Sequence, residues 1–117
     1  MRLNEITFTD ALPVDGYGAG FFRVGGEVKS GPLLMTPDGI VAWEGLEDAA
    51  PLDALVGRID VLFVGMGSEM AHLPRALRDR LEEAGLGLEV MTSPAACRTY
   101  NVLLSEGRRV GLAALPV

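Results

Sequence analysis

The sequence predicts an α/β domain built on a mixed central sheet, with N-terminal hairpins followed by a β-α-β-α-β half. Three stretches carry this expectation. Ile59 to Val64 is a nearly continuous apolar run broken by Asp60, which suits a central strand covered on both faces. Leu88 to Leu115 reads as a strand, a helix and a second strand, a β-α-β unit whose faces need cover from elsewhere in the chain. Gly25-Gly26, set between two β-prone segments, can supply the positive φ angles of a two-residue hairpin.

In chain order, Ile6-Thr7-Phe8 is a short β-prone stretch, and Pro13 to Gly20 reads as a glycine-rich connection. Phe21 to Val24 and Glu27 to Lys29 are the arms of the Gly25-Gly26 hairpin. Ser30-Gly31-Pro32 interrupts the pattern before Leu33 to Met35 resumes it. Thr36-Pro37-Asp38-Gly39 is a turn leading to a returning strand, Ile40 to Trp43. Trp43 is expected to be at least partly buried at the end of that hairpin. Pro51, Leu52, Leu55 and Val56 suggest a short amphipathic helix. After the Ile59 strand and the loop Gly65-Met66-Gly67, Pro74 opens a helix with Leu77 and Leu81 on one face and Arg and Glu opposite, ending at Gly85. Leu88 to Met91 alternates like a strand, and Thr92 and Ser93 offer N-cap oxygens ahead of Pro94. The Pro94 helix should turn Ala96, Tyr100, Leu103 and Leu104 toward the sheet and stop at Gly107 before the strand Val110 to Leu115. The three strands from Ile59, Leu88 and Val110 are expected at the centre of the sheet.

With 117 residues the chain suffices for one domain, residues 1–117, and not for a cofactor domain plus a substrate domain. A net charge of -6 argues against nucleic acid as a partner, because phosphate binding rests on clustered Lys and Arg. Arg75, Arg78 and Arg80 are interleaved with Asp79, Glu82 and Glu83, the pattern of a solvated helix face. Cys97 is the one cysteine, so no intramolecular disulfide or cysteine-based metal cluster can form. The N-terminal residues show no signal pattern, and no apolar run reaches the ~18 residues of a transmembrane helix. The expectation is a cytoplasmic protein whose association with the inner membrane would go through a partner or a surface patch.

Few residues suggest chemistry. Gly65-Met66-Gly67 ends a strand where ligands of parallel sheets tend to bind, but Met70 stands where a dinucleotide fingerprint needs its third glycine. Cys97 near a helix start and His72 invite a nucleophile-and-base reading, against which stands a small cysteine buried among alanines. Arg98, Thr99 and Asn101 place polar groups on an otherwise apolar helix, with Arg98 and Asn101 three positions apart on one side. The candidate ligand site is therefore Gly65, Gly67, Thr92, Arg98, Thr99 and Asn101, holding a carboxylate or phosphate-like anion between the glycine loop and the Arg98 guanidinium. Its rival is an internal pair between Arg98 and a carboxylate such as Glu69. No catalytic residues, metal ligands or cofactor are assigned.

One ordered set of segments carries a family resemblance across almost the whole chain. It comprises Tyr17-Gly18-Ala19-Gly20-Phe21-Phe22, Gly31-Pro32-Leu33-Leu34, Pro37-Asp38-Gly39 with Trp43, Gly65-Met66-Gly67, and Met91-Thr92 through Ala96-Cys97-Arg98-Thr99-Tyr100-Asn101-Val102-Leu103 with Glu106-Gly107-Arg108. This set resembles the Mth938-like domain family, which includes an assembly factor of mitochondrial respiratory complex I and a metazoan protein linked to adipogenesis. The resemblance implies a compact three-layer α/β fold and brings no catalytic residues. It also implies a non-catalytic binding or assembly role, with respiratory complex subunits or assembly proteins as partners. The alternative, from the residues themselves, is a protein that binds a small molecule or anion, or an enzyme, with its pocket at Gly65 to Gly67 and Arg98.

Overall fold

The computed structural model describes residues 11–117, so the β-prone Ile6 to Phe8 stretch lies outside the described residues. The elements in order are β1 (Val14–Gly18), β2 (Phe21–Val24), β3 (Glu27–Ser30), β4 (Leu33–Thr36), β5 (Gly39–Val41), α1 (Ala50–Asp53), β6 (Val61–Gly65), α2 (Arg75–Glu83), β7 (Gly87–Met91), α3 (Ser93–Ser105) and β8 (Val110–Ala114). They form a mixed five-stranded sheet, β5-β4-β8-β6-β7, and a separate antiparallel sheet, β1-β2-β3.

β8 sits at the middle of the larger sheet, antiparallel to β4 and parallel to β6, with all five residues buried. Its small residues permit this crowding: a Cβ on Gly111 would come 2.9 Å from Ile59 Cδ1 and 3.1 Å from the Met35 carbonyl oxygen. β6 pairs in parallel with β7 on its other side. The chain therefore crosses from β6 outward to β7 and back over β6 to β8. Right-handed crossovers in opposite directions put their helices on opposite faces of the sheet.

Two cores follow from that arrangement. On one face Phe63, Leu112, Ala114, Leu33 and Met35 pack with Ala96, Cys97 and Tyr100 of α3 and with Val14, Phe22 and Val24 of the small sheet. On the other, Leu34, Leu62, Val64 and Ala113 meet Leu52, Leu55, Leu77, Leu81 and Trp43. Successive strand residues serve opposite cores, as the period of two requires. The result is the three-layer arrangement implied by the resemblance.

Several expectations are met in detail. Gly25 and Gly26 have φ of 61° and 81° and close the Val24/Glu27 pair of a two-residue hairpin. α2 buries Leu77 and Leu81 and carries Arg78–Glu82 and Arg75–Asp79 pairs at 3.3 and 4.0 Å on its solvated side. Trp43 is buried, and its Nε1–H donates to the Asp48 carbonyl at 3.1 Å. Tyr100 is fully buried, whereas Leu104 is only half-buried against the same core.

The sheets differ from the sequence expectation in three ways. Val14–Gly18 is a strand and not part of a connection, because Ala19-Gly20 alone makes the turn to Phe21. The Gly25-Gly26 hairpin does not extend the mixed sheet. It joins β1 in the small sheet, and only β4 and β5 extend the large one. Finally, Leu88 to Met91 belongs to β7 at the sheet edge, where most of its residues are half-buried.

Candidate functional site

The parallel pairing of β6 with β7 and β8 brings the end of β6, the start of α3 and the residue after β8 together. Ser93 holds them. Its Oγ accepts the Gly67 N–H at 2.9 Å and donates to the Leu115 carbonyl at 2.6 Å, while its own N–H donates to the Gly67 carbonyl at 2.8 Å. The Met66 N–H donates to the Met91 carbonyl and the Leu115 N–H to the Gly65 carbonyl, each at 2.9 Å. Gly65 is what lets α3 come this close, since a Cβ there would lie 2.7 Å from the Ser93 Cα. Gly67 adopts φ of 97°, the left-handed region that glycine enters at little cost. The crevice at the strand ends is thus closed by the chain's own hydrogen bonds, and both backbone groups of Gly67 are occupied by Ser93.

Thr92 occupies the N-cap position of α3, but its side chain makes no capping bond; its carbonyl accepts the Ala96 N–H at 2.9 Å. Thr99 Oγ1 contacts Met91 Sδ at 3.8 Å. Asn101 reaches across to β1, where its Oδ1 accepts the Val14 N–H at 2.8 Å and its Nδ2 donates to the Val14 carbonyl at 2.9 Å. Arg98, one turn earlier, is exposed and makes no ion pair among the described residues, with Glu69 or any other carboxylate. Arg98 and Asn101 share a groove of about 260 Å³ between α3 and β1, lined also by Asp15, Tyr17, Pro94 and Cys97. Gly65, Gly67, Thr92 and Thr99 do not line it.

The β1 wall of this groove is hidden in the sequence, because the glycines of Pro13 to Gly20 give that stretch the composition of a connection. A usable signal was present: apolar Val14 and Tyr17 lie before Ala19-Gly20, a two-residue turn, and Phe21 and Phe22 lie after it.

Burial pushes the Cys97 thiol up to about 11. A thiol held protonated at neutral pH is a poor nucleophile. His72 is exposed on the loop before α2 and does not adjoin the α3 groove. Tyr100 is likewise held in its neutral form by burial, and its hydroxyl donates to the Leu12 carbonyl at 2.9 Å. A second, mainly apolar groove of about 390 Å³ lies beside α2, lined by Leu46, Ala49, Pro74, Ala76 and Leu77 together with Glu47 and Arg80.

Residues 14–115, which span both sheets and the α3 groove, match the family of proteins of unknown function designated DUF498/DUF598. The chain belongs to that family. An uncharacterized protein from Rhodobacter capsulatus is 50% identical over 117 residues, covering all of this chain and 94% of its own length. The human NADH dehydrogenase [ubiquinone] 1 alpha subcomplex assembly factor 3 is 31% identical over 113 residues, covering 91% of this chain. This chain spans 61% of that human protein's length. A solution structure from Bordetella pertussis, described as a Mth938-like domain, superimposes with a TM-score of 0.74 at 29% identity, covering 99% of this chain and 92% of that one. The Mth938-like resemblance and the three-layer fold are thereby established for this DUF498/DUF598 protein.

Proposed function

We propose that this DUF498/DUF598 protein is a non-catalytic binding and assembly factor that holds a protein partner during construction of a respiratory complex. The observation that carries the reading is the similarity to complex I assembly factor 3, which extends over 91% of the chain. The site chemistry agrees with it. The strand-end crevice, where enzymes of parallel sheets usually place their ligands, is filled here by the Ser93 hydrogen bonds. The buried thiol is held protonated. The partners would be subunits or assembly proteins of the complex, and contact with the inner membrane would go through them. No helix among the described residues is long and apolar enough to cross a membrane.

The test is purification of the tagged chain from its source organism under mild detergent, with mass spectrometry of what is retained. Reproducible recovery of complex I subunits or their assembly intermediates is expected. Recovery of the chain without them, in cells actively building the complex, would contradict the reading.

A second reading keeps the small anion as ligand. It is favoured by one observation, the exposed Arg98 guanidinium beside Asn101 in a concave groove. Titration of the chain with acetate and with inorganic phosphate, followed through the Asn101 side-chain amide resonances of the same groove, tests it. Saturable shifts that vanish in Arg98→Gln are expected of that site.

A further inference from the structure

Among the described residues, the outer side of β1 is an unfinished sheet edge. Val24/Glu27 and Gly18/Phe21 are the closing pairs of two-residue hairpins, which sets the alternation of the small sheet. Gly16 and Gly18 therefore direct their backbone groups toward β2. Across the register shift between Val14 and Gly16, Val14 and Tyr17 direct theirs outward, toward α3. Asn101 takes both outward groups of Val14, so that its amide stands in for a neighbouring strand. The outward N–H and C=O of Tyr17 have no partner among the described residues. Tyr17 lines the same groove as Arg98, one helical turn before Asn101.

We propose that this groove receives an extended segment of a protein partner, which continues the edge that Asn101 begins. The segment's backbone pairs with the N–H and C=O of Tyr17, and one acidic side chain of the segment engages the Arg98 guanidinium. Tyr17 is 48% exposed, so its ring and Pro94 offer apolar contact to the residues flanking the acid. Charge narrows the choice of sequence. Asp15 also lines the groove, and its carboxylate, which accepts the Gly26 N–H of the β2-β3 turn at 3.1 Å, disfavours a second acid at that end. A segment with one acidic residue, flanked by neutral β-forming residues, is the complement. A free anion would use Arg98 and leave the paired donor and acceptor of Tyr17 idle. This inference rests on the binding role proposed above and names the surface that performs it.

The experiment pans a library of short random peptides on the full chain, then titrates the best binder into isotopically labelled protein. Enriched peptides should carry Asp or Glu at one fixed position and shift the Tyr17 amide on binding. Arg98→Gln should weaken them about tenfold, as loss of a charge-assisted contact would. Arg98→Glu should move the preference to Lys or Arg at that position. No enrichment, peptides that bind Arg98→Gln as tightly, or shifts confined to the groove at Leu46 and Leu77 would overturn the proposal. Acetate that shifts Tyr17 as strongly as the peptide would also overturn it, by assigning the groove to free carboxylates. Failure of the assembly role would look different: cellular partners retained equally by wild type and Arg98→Gln remove this groove and keep that role. Peptide binding without any cellular complex I partner does the reverse.

Discussion

Ser93 and Gly67 exchange two hydrogen bonds across the gap between α3 and the end of β6, N–H to Oγ at 2.9 Å and N–H to carbonyl at 2.8 Å. Both residues are buried, so water cannot replace either bond. Ser93→Ala strands the Gly67 N–H and removes the donor to the Leu115 carbonyl. Denaturant unfolding should show a loss of about 2 to 4 kcal/mol, the range for leaving buried polar groups unpaired. A loss below ~0.5 kcal/mol, ordinary for surface positions, would mean that the strand ends are held by something else.

Asn101 fastens the small sheet to α3 through two bonds to Val14, a residue 87 positions away. Asn101→Ala should cost about 1 to 3 kcal/mol, the net worth of two such bonds. Hydrogen exchange should localise the effect, with faster exchange at the Val14 amide and little change in the β6 and β8 amides. Uniform acceleration across both sheets would show that the small sheet does not loosen separately.

The two expectations for the α3 core face now part. Tyr100 is fully buried while Leu104 is half-buried, so truncation at Leu104 should cost about 1 to 2 kcal/mol, below the ~2 to 5 kcal/mol of an enclosed leucine. Tyr100→Phe removes only the hydroxyl bond to the Leu12 carbonyl, and its cost should be about 1 kcal/mol. A Leu104→Ala loss in the fully buried range would mean that more of α3 is enclosed in solution.

These cases also mark how much was legible from sequence. Local chemistry was: Gly25-Gly26 demanded a tight hairpin, the apolar run from Ile59 demanded a buried strand, and Leu77 with Leu81 gave one face of α2. Relations between distant segments were not. Ser93 looked like a helix cap, and its bonds to Gly67 and Leu115 exist only once three strand ends meet. Asn101 reads as a polar residue of α3, and nothing local shows that β1 lies beside it and takes its amide. β1 itself was hidden by its glycines, which lower strand propensity while the register with β2 and the contact with α3 supply its order.

Cys97 gives a pH prediction with a definite sign. Burial raises its thiol from 9.0 to about 11 in the folded chain, so the folded state holds the proton more tightly than the unfolded one. Its contribution to stability is fully present below pH 9 and is lost as pH rises through about 11. Cys97→Ala should flatten part of that decline, leaving the part due to Tyr100, which shifts in the same direction. A decline steeper in Cys97→Ala than in wild type would contradict the assignment.

The proposed role in assembly of a respiratory complex has a direct readout in native gel electrophoresis of membranes from cells lacking the chain. Complex I should fall in its full-size form and accumulate as smaller intermediates, and restoring the wild-type chain should reverse both changes. Full-size complex I at wild-type abundance, with no intermediates during growth that depends on it, would contradict the claim.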